Sequence, residues 1–120
     1  MTSGSFRGGH PRLTLLLPGQ LRPVEIEFIV DTGFNGDLSV PSEIARQLES
    51  NEARPTYNEM ADGSFYKAVV LSLFLDNEIV SRVVEVLVMP GRTLLGVALL
   101  AEWGLHVDVT EGGDVVIEPL

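Results

Sequence analysis

Asp31, Thr32 and Gly33 stand where an apolar run ends and a turn begins, and their types and spacing define a carboxylate that chemistry can use. The run Val24-Glu25-Ile26-Glu27-Phe28-Ile29-Val30 leads into them, and Phe34-Asn35-Gly36 follows. An acid held at a strand end can activate water when a second acid stands beside it. Two like charges a few ångströms apart do not both ionise cheaply, so such a pair shares one proton. The pair then titrates as a unit. Its ionised member draws a proton from water, and its protonated member hydrogen-bonds the carbonyl under attack. Thr32 supplies a hydroxyl to tie the loop down. Gly33 lets the backbone turn tightly and lets a peptide N–H approach the carboxylate. The same tripeptide also suits an ordinary turn, so its surroundings decide what it means.

Those surroundings read as mostly β. Val24, Ile26, Phe28 and Val30 alternate with Glu25 and Glu27, the period of a half-buried strand that ends at Asp31. Further strands are predicted at Leu13–Leu17, Leu38–Val40, Pro55–Met60, Phe65–Leu75 and Ile79–Met89. A final hairpin, Leu105–Val109 with Val115–Glu118, turns at Glu111-Gly112-Gly113. Two short helices are predicted. One runs from Pro41 to about Glu49 with Ile44, Ala45 and Leu48 inward. The other runs from Val97 to Trp103 and stops at Gly104. Many short strands with turn signals imply a closed or sandwiched β architecture. At 120 residues the chain is expected to be a single domain over residues 10–120. Residues 1–9, small, polar and glycine-bearing, read as a flexible tail or a loose dimer arm.

Three stretches carry a resemblance to the retroviral-type, or retropepsin-like, aspartic proteases, closest to the prokaryotic branch whose loop reads Asp-Thr-Gly-Phe. The first is Phe28 to Pro41, which looks like that family's strand, active-site loop and next strand. The second is Ala61-Asp62-Gly63-Ser64-Phe65, a turn between two strand-like runs where the family has its flap. The third is Leu94-Leu95-Gly96-Val97-Ala98-Leu99-Leu100, similar to the family's hydrophobic-hydrophobic-Gly motif. The resemblance implies a closed β-barrel of the acid-protease type with one or two short helices. It implies an aspartic endopeptidase with Asp31 catalytic and Thr32, Gly33 and Phe34 in the active-site loop. Residues 61–65 would close over substrate, and Leu94, Leu95 and Gly96 would support the loop from beneath. Phe34 departs from the small residue usual in the retroviral enzymes and would narrow or line the pocket.

The other aspartates (Asp37, Asp62, Asp76, Asp108 and Asp114) are not followed by Thr-Gly or Ser-Gly. A two-acid mechanism therefore needs a second Asp31 from a second copy, which a two-fold homodimer supplies. Substrate would be a peptide or protein in extended form, its alternate side chains in pockets, with apolar residues expected to flank the cut. The alternative is a non-catalytic dimeric module of the same kind that holds such a peptide without cutting it.

Composition narrows the rest. A net charge of −9, with Lys67 the sole lysine, excludes a phosphate-binding patch and hence nucleic acid. Without cysteine there are no disulfides, thiolate nucleophiles or Cys-based metal sites. His10 and His106 lack ligand spacing, so neither a metal nor a cofactor is expected. Leu13–Leu17 is too short to span a membrane, and residues 1–10 lack the apolar stretch of a signal peptide. The expectation is a cytoplasmic protein.

Overall fold

The computed structural model describes residues 2–59 and 62–120. In chain order the elements are β1 (Thr2–Arg7), β2 (His10–Leu17), β3 (Val24–Val30), β4 (Leu38–Val40), α1 (Ser42–Ala45), β5 (Glu52–Glu59), β6 (Phe65–Asp76), β7 (Ser81–Val88), β8 (Leu94–Leu95), β9 (Trp103–Val107) and β10 (Asp114–Pro119). The protein is mainly β. Its strands join in one sheet of order β5-β6-β7-β4-β8-β3-β2-β1-β10-β9, and among the described residues that ladder runs open from β5 to β9. Most rungs are antiparallel; β3 with β8 and β4 with β7 run parallel.

The sheet curves around its own core. Laid flat, ten strands would span about 43 Å across, yet the longest dimension of the whole molecule is 38 Å. One cluster gathers Leu13, Leu15 and Leu17 of β2, Phe28 and Val30 of β3, Leu73 of β6, Val84 and Val86 of β7, Leu95 of β8, and Val115 and Ile117 of β10. β3 behaves as its alternation predicts. Ile26, Phe28 and Val30 are buried while Glu25 and Glu27 are exposed. Ile29 is buried as well, so the strand is covered on both faces as it nears Asp31. No helix of the described residues is long and apolar enough to cross a membrane.

Three expectations need correction. The flexible tail or loose arm expected over residues 1–9 is instead, from Thr2 to Arg7, a strand paired with β10 on one edge and β2 on the other. Its small residues serve close packing. A Cβ on Gly4 would lie 1.8 Å from the Arg12 carbonyl oxygen, and Phe6 packs against the core.

The helix predicted from Pro41 to Glu49 is confined to Ser42–Ala45. Beyond it, Gln20 N–H bonds the Gln47 carbonyl and Glu49 N–H bonds the Pro18 carbonyl, both at 2.9 Å, which draws the chain out to a bridge between Leu48 and Gly19. The helix predicted from Val97 to Trp103 is a series of turns. Leu100 N–H reaches only the Val97 carbonyl and Trp103 N–H only that of Leu100. Glu102, at φ 71°, then reverses the chain, and Gly104 lies inside β9 rather than at a helix cap.

Candidate active site

Asp31 follows directly from β3. Its N–H bonds the Leu95 carbonyl at 2.9 Å, which continues the parallel β3–β8 rungs by one step. The loop then closes on itself. Gly33 N–H donates to Asp31 Oδ1 at 2.9 Å, and Phe34 N–H donates to the Asp31 carbonyl at 3.1 Å. From the other side, three consecutive N–H groups hold the loop. Gly96 N–H reaches the Asp37 carbonyl at 2.9 Å, Val97 N–H that of Phe34 at 3.0 Å, and Ala98 N–H that of Gly36 at 3.3 Å. The approach is close enough to admit only glycine at position 96. A Cβ there would meet the Gly36 oxygen at 2.2 Å and the Phe34 oxygen at 2.5 Å. Leu95 is fully buried beneath, and Leu94 is half-buried at the edge of a cavity.

Asp37 ends the same loop in a very different setting. It is buried, and Arg82 grips it with a fork, one guanidinium nitrogen to Oδ1 at 2.8 Å and the other to Oδ2 at 3.2 Å. Glu85 N–H adds a third bond to Oδ2 at 3.0 Å. Arg82 also donates to the Ala98 carbonyl at 3.2 Å, so one guanidinium joins β7 to both halves of the loop clamp. The carboxylate hydrogen bond raises the pKa of Arg82 above its ordinary value and keeps the group charged. Sequence reasoning missed this pair. Arg82 lies 45 positions from Asp37 and no spacing rule links them.

Asp31 is half-buried and Thr32 is exposed. Both line a cavity of about 570 Å³ whose walls include Phe6, Ile29, Leu94 and Val107 and whose lining includes His10 and Arg92. A second cavity, of about 610 Å³, opens on the Phe34–Asp37 side. Phe34, Leu38, Val70, Leu87 and Ala98 give it apolar surface, and the Arg54–Glu85 ion pair lies along it. Phe34 thus contributes surface to this second space, next to the loop.

The hairpin of β5 and β6 meets the loop at its base. Arg54, Thr56 and Val70 share the second cavity with Phe34 and Asn35. At the tip, Asp62 Oδ1 accepts the Ser64 N–H at 2.9 Å and the Ser64 hydroxyl at 2.6 Å, and these bonds lower the Asp62 pKa. Gly63 and Ser64 are exposed, and Phe65 is two-thirds exposed. Neither cavity's described lining includes Asp62–Phe65, and Ala61 lies outside the described residues.

No family model, curated protein or solved structure matches this chain. The role of Asp31 therefore has to be read from its own surroundings. Oδ1 is engaged by the loop, while Oδ2 has no protein hydrogen-bond partner among the described residues. A loop fixed by backbone bonds on both flanks thus presents one carboxylate oxygen to a half-open space. Such an arrangement can hold a water, a second carboxylate or a peptide group.

Proposed function

We propose that this protein is an aspartic endopeptidase of retropepsin-like type, acting as a homodimer in which each copy supplies one Asp31. The observation that carries the reading is the free Oδ2 of Asp31 on a loop clamped between β3 and the Leu95–Ala98 segment. In the dimer two such carboxylates share a proton and hold the attacking water. One accepts a proton from that water while the other donates to the scissile carbonyl. Thr32, exposed beside Asp31, pairs across the dimer and holds the two loops in register. The substrate lies extended across both loops, with side chains in the flanking cavities. The β5–β6 hairpin covers it and excludes water.

The test is cleavage of a mixed peptide library at mildly acidic pH by wild type and by Asp31→Asn. Wild type alone should cut, its rate per chain should fall on dilution through dimer dissociation, and its pH profile should be bell-shaped. Equal cleavage by Asp31→Asn would end the two-carboxylate mechanism. A folded wild-type dimer that binds library peptides without cutting them would establish the peptide-holding module instead.

A further inference from the structure

Four of the chain's arginines are paired with carboxylates: Arg7 and Arg12 with Glu27, Arg54 with Glu85 and Arg82 with Asp37. Arg92 is placed differently. Among the described residues its side chain meets no carboxylate, and its partner is Nε2 of His10, 2.6 Å from one guanidinium nitrogen. Arginine keeps its protons throughout the working pH range. In this contact it is therefore the donor and Nε2 of His10 the acceptor. The contact leaves the positive charge of Arg92 uncompensated. The remaining N–H groups of its planar fork suit a carboxylate.

Position gives that charge its meaning. Arg92 and His10 line the same cavity as Asp31 and Thr32. The segment carrying Arg92 is tied to β3 just before the candidate catalytic residue. Thr93 Oγ1 donates to the Glu27 carbonyl at 2.6 Å, and Ile29 N–H donates to the Thr93 carbonyl at 2.8 Å. Ile29, Leu94 and Val107 line the same space with apolar surface. A side chain entering from a backbone laid over Asp31 meets apolar walls along its stem and a guanidinium beyond.

We infer that this cavity is a recognition subsite for a peptide carboxylate, with Arg92 as the residue that binds it and His10 as the group that holds Arg92 in place. The inference rests on the protease reading for its placement of substrate over Asp31. It changes the expected specificity, because a residue beside the cut should be acidic with an aliphatic stem, glutamate above all, where apolar residues alone were expected. The carboxylate has two sources, a Glu or Asp side chain within the peptide or the peptide's own C-terminus.

The deciding experiment uses end-blocked peptides that differ only by Glu or Gln, walked through each position, together with Gln peptides carrying a free C-terminus. Cleavage by wild type and anisotropy-detected binding to Asp31→Asn are measured in parallel, each with and without Arg92→Met. One Glu position should be favoured about tenfold over Gln, the effect expected of a charge-assisted fork that stays partly solvated. Arg92→Met should bring the Glu peptide down to the level of its Gln counterpart, and Arg92→Glu should favour a Lys version of the same peptide over the Gln one. Tighter binding of the free-C-terminus peptides alone, lost in Arg92→Met, would support the same subsite and assign the carboxylate to the chain end. If no peptide is cut, the protease reading fails, while a tenfold Glu preference in binding that depends on Arg92 still upholds the subsite. The inference is overturned by equal treatment of Glu and Gln, by a preference that survives Arg92→Met, or by absence of binding altogether. It is also overturned if Arg92→Met dissociates the dimer, which would make the cavity a subunit contact.

Discussion

Asp31 and Asp37 stand at the two ends of one short loop, and the fold uses them in opposite ways. Asp37 is buried and tied down, with both oxygens bonded by Arg82 and one also by the Glu85 N–H. Asp31 is half-open and its carboxylate accepts one bond among the described residues, from Gly33 of its own turn. The difference separates a carboxylate that holds a scaffold together from one that is available to react. It also shows why proximity to a motif is a poor guide to role. Asp37 stands six positions from Asp31, yet it is buried and its carboxylate is committed to Arg82 and the Glu85 N–H.

Substitutions at the two positions should therefore fail in different ways. Asp31→Asn should lower cleavage by more than about a hundredfold, the loss typical of a missing general acid or base. Its thermal midpoint should stay close to that of wild type in the same preparation. Asp37→Ala should do the reverse at the level of stability, shifting the urea midpoint by the equivalent of about 2 kcal/mol. Breaking a buried ion pair costs about 3–5 kcal/mol, reduced here because the Arg82 side chain is 44% exposed and regains water. An unchanged urea midpoint would mean that the Arg82 fork does not hold the loop.

Gly96→Ala tests the clamp that serves both acids. The added methyl meets backbone oxygens, which do not swing aside as a flexible side chain would. The expected cost is about 2 kcal/mol, together with lost cleavage as the loop is pushed off the Leu95–Ala98 segment. Full activity in this variant would show that the clamp can be displaced without consequence.

The smallest effect concerns Asp62. Its pKa is lowered in the fold by hydrogen bonds from Ser64, so it binds protons more weakly there than in the unfolded chain. Its contribution to the hairpin tip is present at neutral pH and lost as the pH falls through the carboxylate range. The protection factor of the Ser64 amide, its exchange compared with the intrinsic rate at the same pH, should fall in acid for wild type, and Asp62→Asn should flatten that dependence.

The sequence disclosed the strand into the site more clearly than the scaffold around it. Alternation over Val24–Val30 and the short run Leu38–Val40 matched the observed strands residue for residue, because each buries one continuous apolar face. The Val97–Trp103 run has helical composition, but its start is pinned to the Phe34 and Gly36 carbonyls, its turns close three residues back, and the chain reverses at Glu102 to enter β9. Local propensity carries no trace of these constraints. The Thr2–Arg7 strand was hidden for a related reason. Its sequence is weakly apolar, and it is ordered by the two strands that flank it. The Asp37–Arg82 and His10–Arg92 contacts join positions 45 and 82 residues apart, so only the folded topology brings them together.

β1 is wedged between β2 and β10, with Ser3 opposite Val116 and Phe6 opposite Pro11. That placement sets an order of events during synthesis. β1, made before β10, gains its second edge only after the segment that contains β10 has left the ribosome. Contacts of such long sequence separation form slowly. Phe6 contributes to the cavity that opens at Asp31, so that wall is finished only when the two distant segments meet. A nascent chain can thus carry an intact Asp31 loop while its cavity is still incomplete, which separates translation of the candidate site from completion of its walls.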